Sequence, residues 1–177
     1  MEKSVFIATS LDGYIARIDG NLDWLDQANL TVPEGEDCGY VDFMSSVDVL
    51  VMGSNTYEKV LSFGNWPYET PVIVLSRRDL KIPEGLEKRI YPSKESPEAL
   101  CGRLAGEGLN RIYVDGGAVI QSFLAAGLIT DLTITVIPVL IGKGISLFGN
   151  ISNDIKLEHV NTKTYECGFV QSHYIVR

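Results

Sequence analysis

Residues 111–118, with the sequence RIYVDGGA, show most directly how this chain folds. Arg111–Val114 is predicted to be a short strand, and the turn Asp115–Gly117 leads from it straight into a helix over Ala118–Ala126. Gly127 follows that helix as glycine commonly does at a helical C-terminus. A strand that is followed at once by a helix is the repeating unit of a parallel α/β sheet.

The same alternation continues on both sides of this unit. Further strands are predicted over Ser4–Thr9, Val47–Met52, Val72–Leu75 and Thr130–Val136. Further helices are predicted over Asp37–Ser46, Ser54–Leu61 and Ser96–Glu107, and an antiparallel hairpin over Lys156–Lys163 and Phe169–Arg177. We therefore expect an α/β fold, a three-layer αβα sandwich around a mixed, mostly parallel sheet, in one domain over residues 1–177.

The composition argues against several classes of protein. The 177 residues are 45% hydrophobic, which suits one compact core, and they carry a net charge of −8 with a pI of about 4.7. An acidic surface disfavours nucleic acid or an anionic membrane as a partner. Cys38, Cys101 and Cys167 lack disulfide or zinc spacing, and the apolar run Val5–Ala8 is too short for a signal peptide or a membrane span. We expect a cytoplasmic protein without a metal site.

Two predicted strand ends carry glycines at the start of a helix. Gly116 and Gly117 follow one strand, and Gly53 follows another, with Ser54 and Asn55 next. A missing side chain lets the backbone approach a bulky ligand, and the N–H groups of the helix behind it can bind an anion. A pyrophosphate suits both positions, although each can also be an ordinary turn or helix cap. The G-x-G-x-x-G pattern is absent, which disfavours a standard Rossmann domain.

A third candidate follows the third predicted strand. Ser76, Arg77 and Arg78 end that strand, and two arginines at such a place can bind a phosphate through paired donors. The alternative is a solvated basic turn.

Four segments of the chain match a known family. They are residues 10–16 (SLDGYIA), 51–58 (VMGSNTYE), 74–78 (VLSRR) and a longer run from Tyr113 to Phe148. Together they resemble the dihydrofolate-reductase-like superfamily, and most closely the branch similar to the reductase (C-terminal) domain of bifunctional riboflavin-biosynthesis deaminase-reductases. The deaminase signature H-x-E with P-C-x-x-C is absent, so we expect at most a stand-alone reductase.

The resemblance implies NADPH as the hydride donor, with NADH possible, in the region that the glycines already indicate. The nicotinamide would lie near Ala8, Ile15 and Ala16. The pyrophosphate would span Gly53–Thr56 and Gly116–Val119. The cofactor-binding candidates are Ala8, Ile15, Ala16, Gly53, Ser54, Asn55, Thr56, Ser76, Arg77, Arg78, Gly116, Gly117, Ala118 and Val119.

One cofactor position departs from the family pattern. The family has an arginine after Met-Gly, where it contacts the 2′-phosphate of the adenosine, and here that residue is Ser54. If Arg77 or Arg78 substitutes for it, NADPH is preferred; if neither does, NADPH and NADH are used about equally.

The family comparison also supplies a catalytic candidate. Counting back from Ser54 places the acid that binds the pterin in dihydrofolate reductases at Asp37, with Glu36 beside it. We expect Asp37 at the substrate end of the cleft rather than on an open surface, where it would bind a ring N–H and favour the protonated substrate.

These patterns leave two hypotheses about function. The first is an NAD(P)H-dependent oxidoreductase that acts on a pterin-like or pyrimidine-like heterocycle, in riboflavin or folate metabolism, as a homodimer by resemblance. The second is a non-catalytic nucleotide-binding protein that kept the fold, which the absence of an arginine at Ser54 favours.

Overall fold

The computed structural model describes residues 1–149 and 151–177, and most of its strands form one large sheet. The strands are β1 (Glu2–Ser10), β2 (Tyr14–Ala16), β3 (Val49–Gly53), β4 (Val72–Leu75), β5 (Ile90–Ser93), β6 (Arg111–Asp115), β7 (Asp131–Ile137), β8 (Ile145–Ser146), β9 (Leu157–Thr164) and β10 (Val170–Val176). The helices are α1 (Asp23–Asn29), α2 (Tyr40–Ser45), α3 (Ser54–Leu61), α4 (Pro97–Gly106) and α5 (Gly117–Ala125).

The large sheet has eight strands in the order β5-β4-β3-β6-β1-β7-β10-β9. The pairs from β5 to β7 are all parallel, whereas β10 pairs antiparallel with both β7 and β9. The sheet is therefore mixed and mostly parallel, as the sequence predicts. A separate pair, β2 and β8, forms a small antiparallel sheet.

Apolar clusters cover both faces of the sheet, and β3 shows how one strand serves both. Val49 and Val51 belong to the cluster that contains α4 and α5, while Leu50 and Met52 belong to the cluster with α2 and α3. Successive side chains of a strand point to opposite faces, so a continuous apolar run is what a doubly covered strand requires. All four of these side chains are buried.

Four elements lie where no helix or strand is predicted: α1, β2, β5 and β8. Helix α1 has seven residues with Trp24 as its buried residue and lacks a side-chain cap among the described residues, so its sequence signal is weak. Strand β5 contains Pro92, which argues against a central strand. Because β5 lies at the edge of the sheet, the missing N–H of proline is tolerated there.

Helix α4 provides a matched pair of substitutions that tests this packing. Leu100 is fully buried, so we expect Leu100→Ala to lower the free energy of unfolding by about 2–5 kcal/mol through lost contacts and a cavity. Gly102 is exposed and a Cβ there would meet nothing, so Gly102→Ala should raise it by about 0.5–1 kcal/mol. Urea unfolding of the two variants measures both, and equal effects would contradict the described packing of α4.

Candidate active site

The carboxyl ends of the parallel strands border a cavity of about 820 Å³, here called the large cavity. The chain passes outward from β3 to β4 and β5 and then returns, so that β6 is inserted between β3 and β1. Open α/β sheets bind ligands at such a reversal, at the carboxyl ends of the strands. Gly53, Leu75 and Asp115, each the last residue of its strand, line the cavity.

The structure brings nearly all of the candidate cofactor residues together in this cavity. Every candidate except Arg78 lines it. The lining candidates are Ala8, Ile15, Ala16, Gly53, Ser54, Asn55, Thr56, Ser76, Arg77, Gly116, Gly117, Ala118 and Val119.

Two glycines allow the first turns of α3 and α5 to pack closely against the neighbouring strand ends. Gly116 has a φ of +85°, which favours glycine, and a Cβ there would collide with the hydroxyl of Thr56 on α3. In return, a Cβ at Gly53 would lie 3.2 Å from Cγ2 of Val119 on α5. Each helix start therefore occupies the space that a side chain on the other strand end would need.

Gly117 packs against the small sheet and also lines the large cavity. It is buried, and a Cβ there would lie 2.9 Å from Cδ1 of Ile15 on β2. A larger residue at Gly117 would displace Ile15.

Three helices begin at the large cavity. No side chain in the described part of the chain caps α3 or α5, so the N–H groups of their first turns have no side-chain acceptor. The third, α4, is capped by Ser96, which accepts a hydrogen bond from Ala99 N–H at 3.3 Å. Uncapped N–H groups and the positive end of the helix dipole together favour an anion at this place.

The two adjacent arginines point to different places. Arg77 lines the large cavity, and it forms no ion pair with any residue that the structure describes. Arg78 does not line it, because its Nη2 lies 2.7 Å from Oε1 of Glu58 on α3. Of the two arginines, Arg77 is therefore the one that a phosphate in the large cavity could contact. Lys59 and Lys94 also line the cavity, and Lys94 is paired with Asp79 at 3.0 Å.

A second cavity of about 650 Å³ adjoins the large one. Ile7, Ala8 and Leu25 line both cavities, so the two share a wall. Most of the second lining is apolar or aromatic, including Phe6 and Tyr40. A flat ring would fit between such side chains.

Asp37 lies at the second cavity but is more open than expected. The residue is exposed, and its carboxylate accepts hydrogen bonds from the N–H groups of Gly39 and Val41, both at 2.8 Å. These two bonds hold the pKa of Asp37 below its usual range. Glu36 similarly accepts from Cys38 N–H at 2.7 Å. The geometry shows a turn before α2 that the two acids stabilise, and the catalytic role of Asp37 stays a prediction.

Asp115 is an acidic residue at the border of the two cavities. It lines the large cavity. Burial raises the pKa of Tyr40, which lines the second cavity, and the nearby charge of Asp115 raises it further. Burial of its carboxyl raises the pKa of Asp115 to about 6, although the N–H of Gly116 counteracts this by stabilising the ionised form. A carboxyl group with such a pKa can exchange a proton near neutral pH.

Comparison with known proteins gives the family. Residues 4–171 match the RibD C-terminal domain. This chain belongs to that family. It is 36% identical to the uncharacterized protein YwjB of Bacillus subtilis strain 168, over 97% of this chain and 95% of that one. The resemblance to the riboflavin-type reductase domain is confirmed.

Solved structures support the RibD C-terminal fold over the whole length. A protein from Shewanella sp. PV-4, provisionally assigned to riboflavin biosynthesis, is 40% identical and has a TM-score of 0.92, over 100% of this chain and 99% of that chain. The Thermotoga maritima diaminohydroxyphosphoribosylaminopyrimidine deaminase/5-amino-6-(5-phosphoribosylamino)uracil reductase is 15% identical with a TM-score of 0.75. That alignment covers 99% of this chain and 56% of the Thermotoga chain, and it shows the shared fold.

Several residues that line the large cavity of this RibD C-terminal domain lie outside the motifs recognised in the sequence. Lys59, Lys94 and Ser96 are examples, and Asp115 was assigned only to a turn. The start of α4 at Ser96 and Pro97 is a clear sequence signal, but its place at the cavity depends on β5, which the sequence does not reveal.

None of the described helices is long and apolar enough to cross a membrane.

The contact between Gly116 and Thr56 can be tested with a matched glycine. Gly108 has a φ of +83° with open space around it, so Gly108→Ala should cost about 1–2 kcal/mol of unfolding free energy for the backbone alone. Gly116→Ala adds the collision with Thr56 and should cost about 1–3 kcal/mol more. Denaturant unfolding measures both variants, and a cost at Gly116 no greater than at Gly108 would refute the contact.

Proposed function

We propose that this protein is an NADPH-dependent reductase of a pterin-like or pyrimidine-like heterocycle. The observation that carries the proposal is the shared wall of Ile7, Ala8 and Leu25 between two cavities of different character. A cofactor in the large cavity and a ring in the second would meet at this wall. Steady oxidation of NADPH upon addition of such a heterocycle is the direct test.

The large cavity has the features that a dinucleotide needs. The uncapped first turns of α3 and α5 suit a pyrophosphate, and Arg77 suits a further phosphate. Ala8, Ile15 and Ala16 would contact the nicotinamide, which supplies a hydride when bound. Binding of NADH is also expected, because it carries the same pyrophosphate.

The names of related proteins narrow the reaction class. The Thermotoga relative is named for reduction of a phosphoribosylamino-uracil, and the Shewanella relative is assigned provisionally to riboflavin biosynthesis. Membership of the RibD C-terminal family supports a reductase of this general kind. The aromatic lining of the second cavity, with Phe6 and Tyr40, suits a planar heterocycle.

Asp115 is the residue best placed to handle a proton. Reduction of a ring C=N bond adds a hydride to carbon, moves the π electron pair to nitrogen and requires a proton there. Asp115 at the border of the cavities would donate that proton, and water would return one to the carboxylate afterwards. A pKa of about 6 leaves part of the carboxyl protonated near neutral pH, which suits a general acid.

Replacing this acid gives a prediction with a pH signature. We expect kcat of the wild type to fall as the pH rises through about 6, because Asp115 then loses the proton that it would donate. Asp115→Asn should lower kcat by about 10²–10⁴-fold and remove this dependence. Asp131→Asn is the control, because it changes a buried acid of the same sheet that is hydrogen-bonded to Ser4. This variant should keep the pH dependence of kcat. A pH profile that survives Asp115→Asn would exclude the proposed donor.

The same substitution has a separate effect on stability. Burial raises the folded-state pKa of Asp115 above the 3.8 of an unperturbed aspartate, so its contribution to stability is fully present below that value and is lost as the pH rises through about 6. Relative to Asp115→Asn, the wild type should therefore lose about 2–3 kcal/mol of unfolding free energy between pH 4 and 7. Urea unfolding at several pH values checks this, and a constant difference between the two proteins would contradict the burial of the carboxyl.

The arginine pair provides a test of cofactor choice. Arg77→Ala should reduce the preference for NADPH over NADH by about tenfold or more, because a charge-assisted hydrogen bond contributes about 1.5–3 kcal/mol. Arg78→Ala is the matched control, since that guanidinium pairs with Glu58 outside the cavity, and it should leave the preference within about twofold. Calorimetric Kd values of both variants for NADPH and NADH measure this preference. A preference that only Arg78→Ala removes would reverse the assignment.

The homodimer stays a prediction. All eight residues of β9 are exposed, and this strand forms one edge of the sheet. An exposed edge strand can pair with another chain, which favours association of two copies at this place.

A further inference from the structure

The second cavity differs from the large one in the sign of its charged side chains. Glu36 and Asp37 are its charged lining residues. The large cavity is lined by three cations, Lys59, Arg77 and Lys94, and by two acids, Asp115 and Glu95, of which Glu95 is paired with Arg103. An anionic group is therefore opposed by the side chains of the second cavity and has cations available to it only in the large one.

The acids of the second cavity are held in place by hydrogen bonds from the backbone. Asp37 accepts hydrogen bonds from the N–H groups of Gly39 and Val41, and Glu36 accepts one from Cys38 N–H. These bonds stabilise the ionised form of Asp37 and lower its pKa. A phosphate near this rim would face fixed negative charge.

The cation beside Asp37, Lys163, does not line the second cavity. Lys163 on β9 is close enough to Asp37 to affect its titration, but its Nζ lies 4.3 Å from the ring centroid of Tyr165 and its side chain is exposed. Apart from Glu36 and Asp37, every residue that lines the second cavity is uncharged, and Asp115 lines the large cavity instead.

The uncharged part of the lining suits a flat, polar ring. Phe6 and Tyr40 form one aromatic wall, with ring centroids 5.8 Å apart, and Phe169 and Tyr113 also line the cavity. Thr135 lies at the floor, where its Oγ1 accepts a hydrogen bond from Gln171 Nε2 at 2.9 Å. A ring with N–H or amino donors would complement the acids and avoid an unpaired anion.

We propose that the second cavity selects an unphosphorylated, neutral or cationic, planar amino-heterocycle and rejects its phosphate ester. The inference rests on the proposed function, because it assigns the second cavity to the substrate. It separates this protein from a reductase that requires a phosphoribosyl group, such as the one for which the Thermotoga relative is named. The discriminating residues are Glu36 and Asp37.

Two matched pairs of compounds test the proposal. They are 5-amino-6-(ribosylamino)uracil with its 5′-phosphate, and 7,8-dihydroneopterin with its 3′-phosphate. Each is titrated by calorimetry into the full chain saturated with NADP⁺, which cannot donate a hydride. We expect the unphosphorylated member of at least one pair to bind at least tenfold more tightly, a difference of about 1.4 kcal/mol. Added salt should weaken this preference through screening.

Substitutions on α1 link the preference to the cavity. Asn29 is exposed at the rim, and Asn29→Lys adds a cation there, so we expect the preference to fall by about threefold or more. Gln27→Lys adds the same charge to an exposed position of α1 that does not line the cavity, and the preference should be unchanged. Equal effects of the two lysines would show that overall charge sets the preference and would overturn the proposal.

The outcomes separate this proposal from the proposed function. If NADP⁺ does not bind, the proposed function fails and the inference fails with it. If NADP⁺ binds but the phosphate esters bind equally or more tightly, or no compound binds, the reductase assignment survives and the inference is overturned.

Discussion

The close contact between the first turns of α3 and α5 is the constraint on which the site depends. Thr56 fills the space beside Gly116, and Val119 fills the space beside Gly53. Interiors pack densely, so neither helix start can shift without displacing the other. Two sets of free N–H groups, which belong to helices far apart in the sequence, are thereby held side by side at the ends of β3 and β6.

The same contact accounts for the environment of Asp115. This residue ends β6 directly before Gly116, so its position is set by the turn that Thr56 supports. Strand β6 lies in the interior of the sheet, between β3 and β1. Burial favours the neutral acid, which turns an ordinary aspartate into a group that titrates near neutrality. The turn that starts α5 thus also sets the environment of this carboxyl group.

The sequence predicts the central part of this molecule better than its edges. Strands β3, β4 and β6 are long apolar runs because both of their faces are covered, and such runs are visible without a structure. Edge strand β5, with Pro92, and the short helix α1 depend on neighbours in space, so local patterns do not show them. Most of the cofactor candidates can be recognised from the sequence for the same reason, because they directly follow these central strands.

Several residues of the site have surroundings that depend on partners distant in the sequence. Arg77 and Arg78 are adjacent and chemically identical, yet Glu58 on α3 holds one of them away from the cavity. The side of Gly117 that lacks a Cβ faces Ile15 on the small sheet, which no local pattern indicates. Asp115 stands within the most recognisable turn of the chain, but its raised pKa comes from burial, which no local pattern shows.

Under the proposed function, an acidic chain would hold an anionic cofactor largely through its backbone. The chain has a net charge of −8, and of the cations at the large cavity Lys94 is already paired with Asp79. The first turns of α3 and α5 supply N–H groups whose partial charge acts over a short range, within about one helical turn. Long-range repulsion from the acidic surface and short-range attraction at the strand ends can therefore coexist. Under the proposed function, this arrangement would concentrate cofactor affinity in main-chain geometry and would leave side chains such as Arg77 to set the choice between related cofactors.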